Sequence, residues 1–144
     1  MADALQTKTF EHPVRVYYED TDTGGIVYYA NYLKFAERAR TEMLRSLGIE
    51  NSTLLNEQRV AFAVKECSAD YIKPAVLDDA LNVVTTVENV GGASMRLIQD
   101  IFRGQERLVA ITVRLACMNI DTGQPCRLPH EVRTVMGQLN NENK

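Results

Sequence analysis

"VYYEDTDTGGIVYYANYLKFAERARTEMLRSLGI", residues 16–49, runs from a strand pattern through a glycine-containing loop into a long helical pattern. Apolar residues alternate around its start, which predicts a half-buried strand over residues 13–19. From residue 31 to residue 47 the apolar side chains recur every three or four residues, with charged side chains between them. This spacing predicts one long amphipathic helix, and Gly48 follows it in the usual position after a helix C-terminus.

The rest of the chain carries mostly strand patterns. Alternating apolar residues, interrupted by turns that contain glycine or proline, predict four more strands at residues 60–73, 81–90, 94–102 and 108–118. Shorter helical segments are predicted at residues 52–58 and 129–139. One strand, one long helix and then four strands predict an α+β fold in which the helix covers one face of an antiparallel sheet.

Length and composition are those of an ordinary globular chain. We expect one domain over residues 1–144, with its core between about residues 13 and 128 and with flexible ends, including residues 140–144. The net charge of −3 leaves no basic footprint for nucleic acid, and no apolar run approaches the ~20 residues that a membrane helix needs. Because the first residues lack the apolar segment of a signal peptide, we expect a cytoplasmic protein.

The two faces of the last predicted strand differ in character. One face is apolar and is formed by Val109, Ile111, Val113, Leu115 and Cys117. The opposite face is mixed and carries Leu108, Ala110, Thr112, Arg114, Ala116 and Met118. Since one helix covers only one face of a sheet, the mixed face predicts either an oligomer or a cover formed by the C-terminal segment.

Metal and triad chemistry find little support in the sequence. The cysteines are widely spaced and form no C-x-x-C pair, and neither His12 nor His130 belongs to a metal-binding or G-x-S-x-G motif. A calcium loop that began at Asp20 would need a glutamate where Asn31 stands. We therefore expect no metal and no cofactor.

Asp20 and Asp22 stand just before the pair Gly24 and Gly25, at the entrance to the long helix. One interpretation is structural, a turn capped by aspartate and glycine. The other is chemical, because free N–H groups at a helix N-terminus stabilise a developing oxyanion. A carboxylate beside them could attack a carbonyl or deprotonate the water that attacks it, which suits a thioester. Spacing alone does not choose between these interpretations, nor between the two acids.

The segment "RVYYEDTDTGGIVYYANY", residues 15–32, closely resembles the active-site signature of the 4-hydroxybenzoyl-CoA thioesterase family. The matching positions are Arg15, Val16, Thr21, Asp22, Gly25, Ile26, Val27, Tyr29, Asn31 and Tyr32. The later segments "ERARTEMLR", "RVAFAV" and "LDD" are most similar to the acyl-CoA thioesterase branch associated with the bacterial Tol-Pal gene cluster. The resemblance covers roughly residues 13–128, and it implies the hot-dog fold, a curved antiparallel sheet of about five strands wrapped around one long helix.

The resemblance also implies roles for individual residues. It makes Asp22 the catalytic carboxylate and Asp20 a loop acid, and it makes the backbone N–H of Tyr29, at the helix start, the donor to the thioester oxygen. This helix start precedes the one that periodicity predicts at Asn31. Gly25, together with the following Ile26 and Val27, is implied to contact the substrate, with the glycine allowing close approach.

The implied activity is hydrolysis of an acyl-CoA, by a homodimer or homotetramer whose active site lies between chains. Some family members have basic residues for the nucleotide of coenzyme A where this chain has Gly91, Gly92 and Ala93. Acyl carrier protein therefore remains open as the acyl donor. The alternative function is a non-catalytic hot-dog protein that binds acyl carriers or lipid-synthesis enzymes. The sequence determines neither the acyl group nor whether Asp22 acts as nucleophile or general base.

Overall fold

The computed structural model describes residues 8–140 and shows an α+β fold with a curved antiparallel sheet. A short 3₁₀ turn, Tyr18–Asp20, follows the first strand, and a π-helical turn, Leu54–Gln58, extends the second helix. The elements in chain order are β1 (Thr9–Arg15), α1 (Tyr29–Ser46), α2 (Asn51–Thr53), β2 (Val60–Tyr71), β3 (Ala80–Val90), β4 (Ser94–Arg103), β5 (Glu106–Asn119) and α3 (His130–Leu139). The predicted hot-dog fold class is confirmed.

The five strands form one sheet in the order β1-β3-β4-β5-β2, and all neighbouring strands are antiparallel. Short turns join β3 to β4 and β4 to β5, so these antiparallel strands form two hairpins. The two hairpins make up the centre of the sheet. The strands β1 and β2 are the two edges. Pro13 lies in β1, where an edge strand tolerates the missing N–H donor.

Helix α1 packs its apolar side against the sheet and divides the core into two clusters. The first cluster surrounds Tyr32 and Phe35 near the helix start and includes Val27, which follows the glycine pair. The second surrounds Met43 and Leu44 near the helix end. The helix thereby lies on the sheet along most of its length, with its N-terminus next to the loop that carries Asp22.

The first strand and the long helix differ from the periodicity-based predictions. The strand occupies Thr9–Arg15 instead of residues 13–19, because the chain turns at Tyr18–Asp20 and leaves the sheet. The helix begins at Tyr29, as the resemblance implied, and not at Asn31. Periodicity placed the helix start at Asn31, because the residue next to it is the first apolar residue of the three- and four-residue repeat.

The mixed outer face is present, but two details of its prediction were wrong. Leu108 is fully buried, because a bulge opposite Ile101 and Phe102 inserts it as an extra residue in β5. The C-terminal helix α3 does not cover the outer face. Its buried Val132 and Met136 join the core cluster of Met43, so α3 packs beside α1 on the inner face.

The end of the described chain is more ordered than predicted. Buried side chains continue past the expected core limit at residue 128 to Met136. The amide of Asn140, a residue predicted to belong to a flexible end, donates hydrogen bonds to the carbonyl oxygens of Val87 and Glu88, both at 2.9 Å. Residues 1–7 and 141–144 lie outside the described residues.

Candidate active site

The segment between the 3₁₀ turn and α1, residues 21–28, forms a small closed loop, called the glycine loop below. An isolated antiparallel bridge joins Thr21 to Val27, and the N–H of Asp22 donates to the carbonyl oxygen of Ile26 at 3.0 Å. The N–H of Gly25 donates back to the carbonyl oxygen of Asp22, also at 3.0 Å. Gly25 has φ of +82°, a left-handed conformation in which a side chain would be strained. Glycine is therefore required here by the turn itself.

The carboxylate of Asp22 is exposed at the tip of this loop. Its Oδ1 accepts a hydrogen bond from the N–H of Gly24 at 2.8 Å, which fixes the direction of the side chain. A Cβ at Gly24 would lie only 3.2 Å from Oδ1, so the absence of a side chain keeps this bond undistorted. Oδ2 accepts no hydrogen bond from the described residues, so one carboxylate oxygen is free for other chemistry.

The first turn of α1, which follows this loop, has backbone donors without partners. The N–H of Tyr28, the residue before the helix, donates to the carbonyl oxygen of Asp20, and the N–H of Asn31 donates to Tyr28. Within residues 8–140 the N–H groups of Tyr29 and Ala30 have no acceptor. These are two of the donors that any helix leaves free at its N-terminus, where the helix dipole also favours negative charge.

Asp20 has a different environment from Asp22, and it is not an ordinary loop acid. Its side chain is buried. Oδ2 accepts the N–H of Tyr17 at 2.8 Å, and Oδ1 accepts the side-chain amide of Asn31 at 3.2 Å. Asp20 thus joins the 3₁₀ turn to the first turn of α1, a role that sequence spacing did not reveal.

An apolar pocket of about 260 Å³ opens beside the helix start. The rings of Tyr29 and Tyr32 both contact the ring of Tyr71, with centroid distances of 5.8 and 5.7 Å. Burial raises the pKa of Tyr32 and that of Tyr71, because it disfavours the charged phenolate. The pocket is lined by Ile26, Val27, Tyr29, Tyr32, Tyr71, Ile72, Lys73 and Pro74.

The structure brings most of the predicted site residues together. Asp22 lies in the glycine loop and Tyr29 begins the helix after it, and Ile26 and Val27 between them line the pocket. Gly25 stands at the loop tip and is not among the lining residues. Tyr71 was missed, because it lies forty-two residues after Tyr29 in sequence and resembles any aromatic residue in a strand. Among the described residues no group of His, Cys, Asp and Glu could hold a metal ion.

A sheet wrapped on one long helix, with a carboxylate loop at the helix start, defines a hot-dog thioesterase. The chain belongs to the Thioesterase-like superfamily, which matches residues 16–136. Curated relatives agree. The chain is 48% identical over 130 residues to the acyl-CoA thioesterase YbgC of Haemophilus influenzae, covering 90% of this chain and 96% of that one. It is 41% identical over 129 residues to the acyl-CoA thioester hydrolase YbgC of Escherichia coli O157:H7, with coverages of 89% and 96%.

Solved structures show the same architecture. A probable thioesterase from Bartonella henselae superposes with a TM-score of 0.81 at 35% identity, over 85% of this chain and all of that chain. A DHNA-CoA thioesterase from Staphylococcus aureus superposes with a TM-score of 0.85 at 26% identity, over 94% and 95% of the two chains. No helix among residues 8–140 is both long and apolar enough to span a membrane.

Proposed function

We propose that this protein is an acyl-CoA thioesterase, which hydrolyses the thioester of a fatty or other acyl-CoA to the free acid and coenzyme A. The observation that carries the proposal is that one short loop carries Asp22, whose Oδ2 is free, and leads into α1 at Tyr29, whose N–H is unpaired. The apolar pocket beside them offers room for the acyl group. Both curated relatives described above are named as acyl-CoA thioester hydrolases, which supports the same substrate class.

In the proposed reaction, Asp22 and the start of α1 act on opposite sides of one carbonyl group. The N–H of Tyr29 stabilises the carbonyl oxygen as it becomes negative. Asp22 either attacks the carbonyl carbon and forms a mixed anhydride, or removes a proton from the attacking water. The C–S bond then breaks and coenzyme A leaves as its thiolate. In the first route, water hydrolyses the anhydride and regenerates Asp22. Gly25, Ile26 and Val27 contact the substrate in this proposal.

We also propose that the working form is a homodimer, or a homotetramer built from dimers. The edge strand β2 is twelve residues long and mostly exposed, and such an edge readily pairs with another strand. Large apolar side chains near this edge are exposed to solvent, which a second copy would cover. They are Val64, Tyr71 and Ile72, with exposures of 51%, 43% and 44%.

In this proposal the whole chain is one domain, and it acts in the cytoplasm, where coenzyme A thioesters are used.

Release of free thiol from a panel of acyl-CoAs tests the activity. The panel contains short, long and aromatic acyl groups, with the same acyl groups on acyl carrier protein in a parallel series. Hydrolysis of at least one acyl-CoA, lost in Asp22→Asn, supports the proposal. Binding of acyl carrier protein without release of thiol from any donor would instead support the non-catalytic alternative.

A single turnover in ¹⁸O-labelled water separates the two roles of Asp22. Label in the Asp22 side chain indicates the mixed anhydride, because water then cleaves a bond to that carboxyl group. Label only in the released acid indicates that water attacks the acyl carbon, which is the outcome when Asp22 acts as a general base.

A further inference from the structure

The segment between β2 and β3, residues 72–79, packs against the glycine loop through its main chain. The N–H of Val27 donates to the carbonyl oxygen of Ala75 at 2.9 Å, and an isolated antiparallel bridge joins Ile26 to Val76. The N–H of Ala75 in turn donates to the hydroxyl of Tyr32 in α1 at 2.9 Å. This segment, called the brace below, therefore contacts both the loop and the helix that form the proposed site.

An ion pair holds the far end of the brace. Oδ2 of Asp79 accepts the N–H of Val76 at 2.9 Å and Nη1 of Arg103, from the end of β4, at 2.7 Å. The same guanidinium reaches the carbonyl oxygen of Pro74 at 3.4 Å, and its Nη2 donates to Glu106 at 2.9 Å. One arginine thus contacts both ends of the brace.

Burial distinguishes this pair from an ordinary surface ion pair. The side chain of Asp79 is 17% exposed and that of Arg103 is 32% exposed, whereas the side chains of the pairs Arg59–Asp121 and Arg96–Glu88 are about half exposed. Partly buried charges are screened less by water and salt. The planar guanidinium also fixes geometry, because its donors are held in a rigid fork.

A continuous series of contacts leads from this pair to the proposed catalytic carboxylate. Arg103 holds Asp79, Asp79 holds the N–H of Val76, and Val76 pairs with Ile26. The carbonyl oxygen of Ile26 accepts the N–H of Asp22. We propose that Arg103 and Asp79 are positioning residues for thioester hydrolysis, which fix the brace and through it the relative placement of Asp22 and the Tyr29 amide. This inference rests on the proposed function.

β4 supplies a matched control for the experiment. Arg96 forms an ion pair with Glu88 at the same distance of 2.7 Å, but neither side chain contacts the brace or the loop. If Arg103 only stabilises the fold, Arg103→Gln and Arg96→Gln should behave alike once both proteins are folded. Glu106 does not lose its only partner in Arg103→Gln, because it also pairs with Lys73 at 2.7 Å.

The test compares kcat and KM of Arg103→Gln, Arg103→Lys, Asp79→Asn and Arg96→Gln, measured well below each melting temperature. A shift of about 1 Å in reacting groups costs up to 10²-fold in rate, so Arg103→Gln and Asp79→Asn should each lower kcat about 10- to 100-fold. KM should change less than kcat. Arg103→Lys, which keeps the charge opposite Asp79, should recover part of the loss, and Arg96→Gln should match wild type.

Amide hydrogen exchange gives a readout that does not depend on activity. Arg103→Gln should speed exchange at Val76 and Val27, while Arg96→Gln should leave both unchanged. Unchanged exchange and unchanged kcat in Arg103→Gln, or in Asp79→Asn if the first variant does not fold, would overturn the inference. Wild-type protein that hydrolyses no thioester would instead refute the proposed function, and the exchange measurement would still decide whether the pair holds the loop.

Discussion

The buried carboxylate of Asp20 accepts the side-chain amide of Asn31 at 3.2 Å, and this contact joins the chain before the glycine loop to the first turn of α1. The other carboxylate oxygen accepts the N–H of Tyr17 at 2.8 Å, and the Asp20 carbonyl oxygen accepts the N–H of Tyr28. Asp20 therefore closes the loop at its base, while Asp22, two residues later, is exposed at its tip. The two neighbouring acids have separate tasks.

Asp20→Asn should weaken folding. Both partners of the Asp20 carboxylate are N–H donors. The side chain of an asparagine has only one acceptor oxygen, so one of these donors would face the asparagine NH₂ group, which is also a donor. A buried polar group left unpaired costs about 1–3 kcal/mol, which corresponds to a fall in melting temperature of roughly 3–10 °C. Thermal unfolding followed by circular dichroism measures it, with the exposed neighbour in Glu19→Gln as control. Equal melting temperatures for the two variants would contradict this role of Asp20.

Asn140→Ala should also lower stability, by about 1 kcal/mol, because it removes the amide that bonds to Val87 and Glu88 in β3. The control is Gln138→Ala, an exposed position in the last turn of α3, two residues before Asn140. Chemical denaturation compares the two variants. A midpoint for Asn140→Ala equal to that of wild type would show that the contact contributes nothing.

The protein should be an oligomer at micromolar concentration. Light scattering should give at least twice the chain mass of 16.2 kDa, because β2 presents an exposed edge and exposed apolar side chains. Val64→Lys places a charge on that edge and should shift the protein toward monomer, with lower activity. A wild-type monomer with full activity would refute both the assembly and a site between chains.

The free energy of unfolding should fall at alkaline pH, because the thiol of Cys117 ionises less readily in the folded chain than in the unfolded chain. Burial, with a smaller contribution from the contact with Cys126, raises the pKa of the Cys117 thiol from 9.0 to about 12. Because the folded-state pKa is the higher one, the unfolded chain loses this proton first. Stability is therefore complete below pH 9 and declines as the pH rises toward 12, by at most about 1.4 kcal/mol per pH unit.

Urea denaturation between pH 8 and 10.5 measures this decline. Cys117→Ala should make the free energy of unfolding less dependent on pH, whereas the exposed control Cys67→Ala should keep the wild-type slope. Parallel slopes for wild type and Cys117→Ala would show that the thiol does not titrate in this way.

Local patterns in the sequence predicted most of the fold. The helix and four of the five strands lie within a few residues of their predicted positions, because apolar periodicity directly reflects which side faces the core. The first strand was misplaced because the alternation of Val14, Val16 and Tyr18 continues past its end. The turn there is enforced by the side chain of Asp20, a contact that periodicity does not contain.

The candidate site was predictable only where its residues are consecutive in the chain. Asp22 to Tyr29 form one motif, and the resemblance found it. Tyr71, Asp79 and Arg103 approach that motif through pairing of distant strands and loops. Asp79 belongs to the segment "LDD" that carries part of the resemblance, but its local sequence does not indicate a contact with the site. The bulge at Leu108 was missed for the same reason, since it depends on the register between β4 and β5.

The proposed mechanism depends most directly on the carboxylate of Asp22, and the decisive measurement is kcat/KM of Asp22→Asn on the best acyl-CoA of the panel. Asparagine keeps the size of the side chain and an oxygen for the Gly24 N–H, but it is a poor nucleophile and no useful base. The exposed acid in Glu19→Gln is the control, and both variants should melt close to wild type. We predict a loss on the order of 10²–10⁴ for Asp22→Asn alone. Activity of folded Asp22→Asn within about tenfold of wild type would contradict the proposed catalytic role.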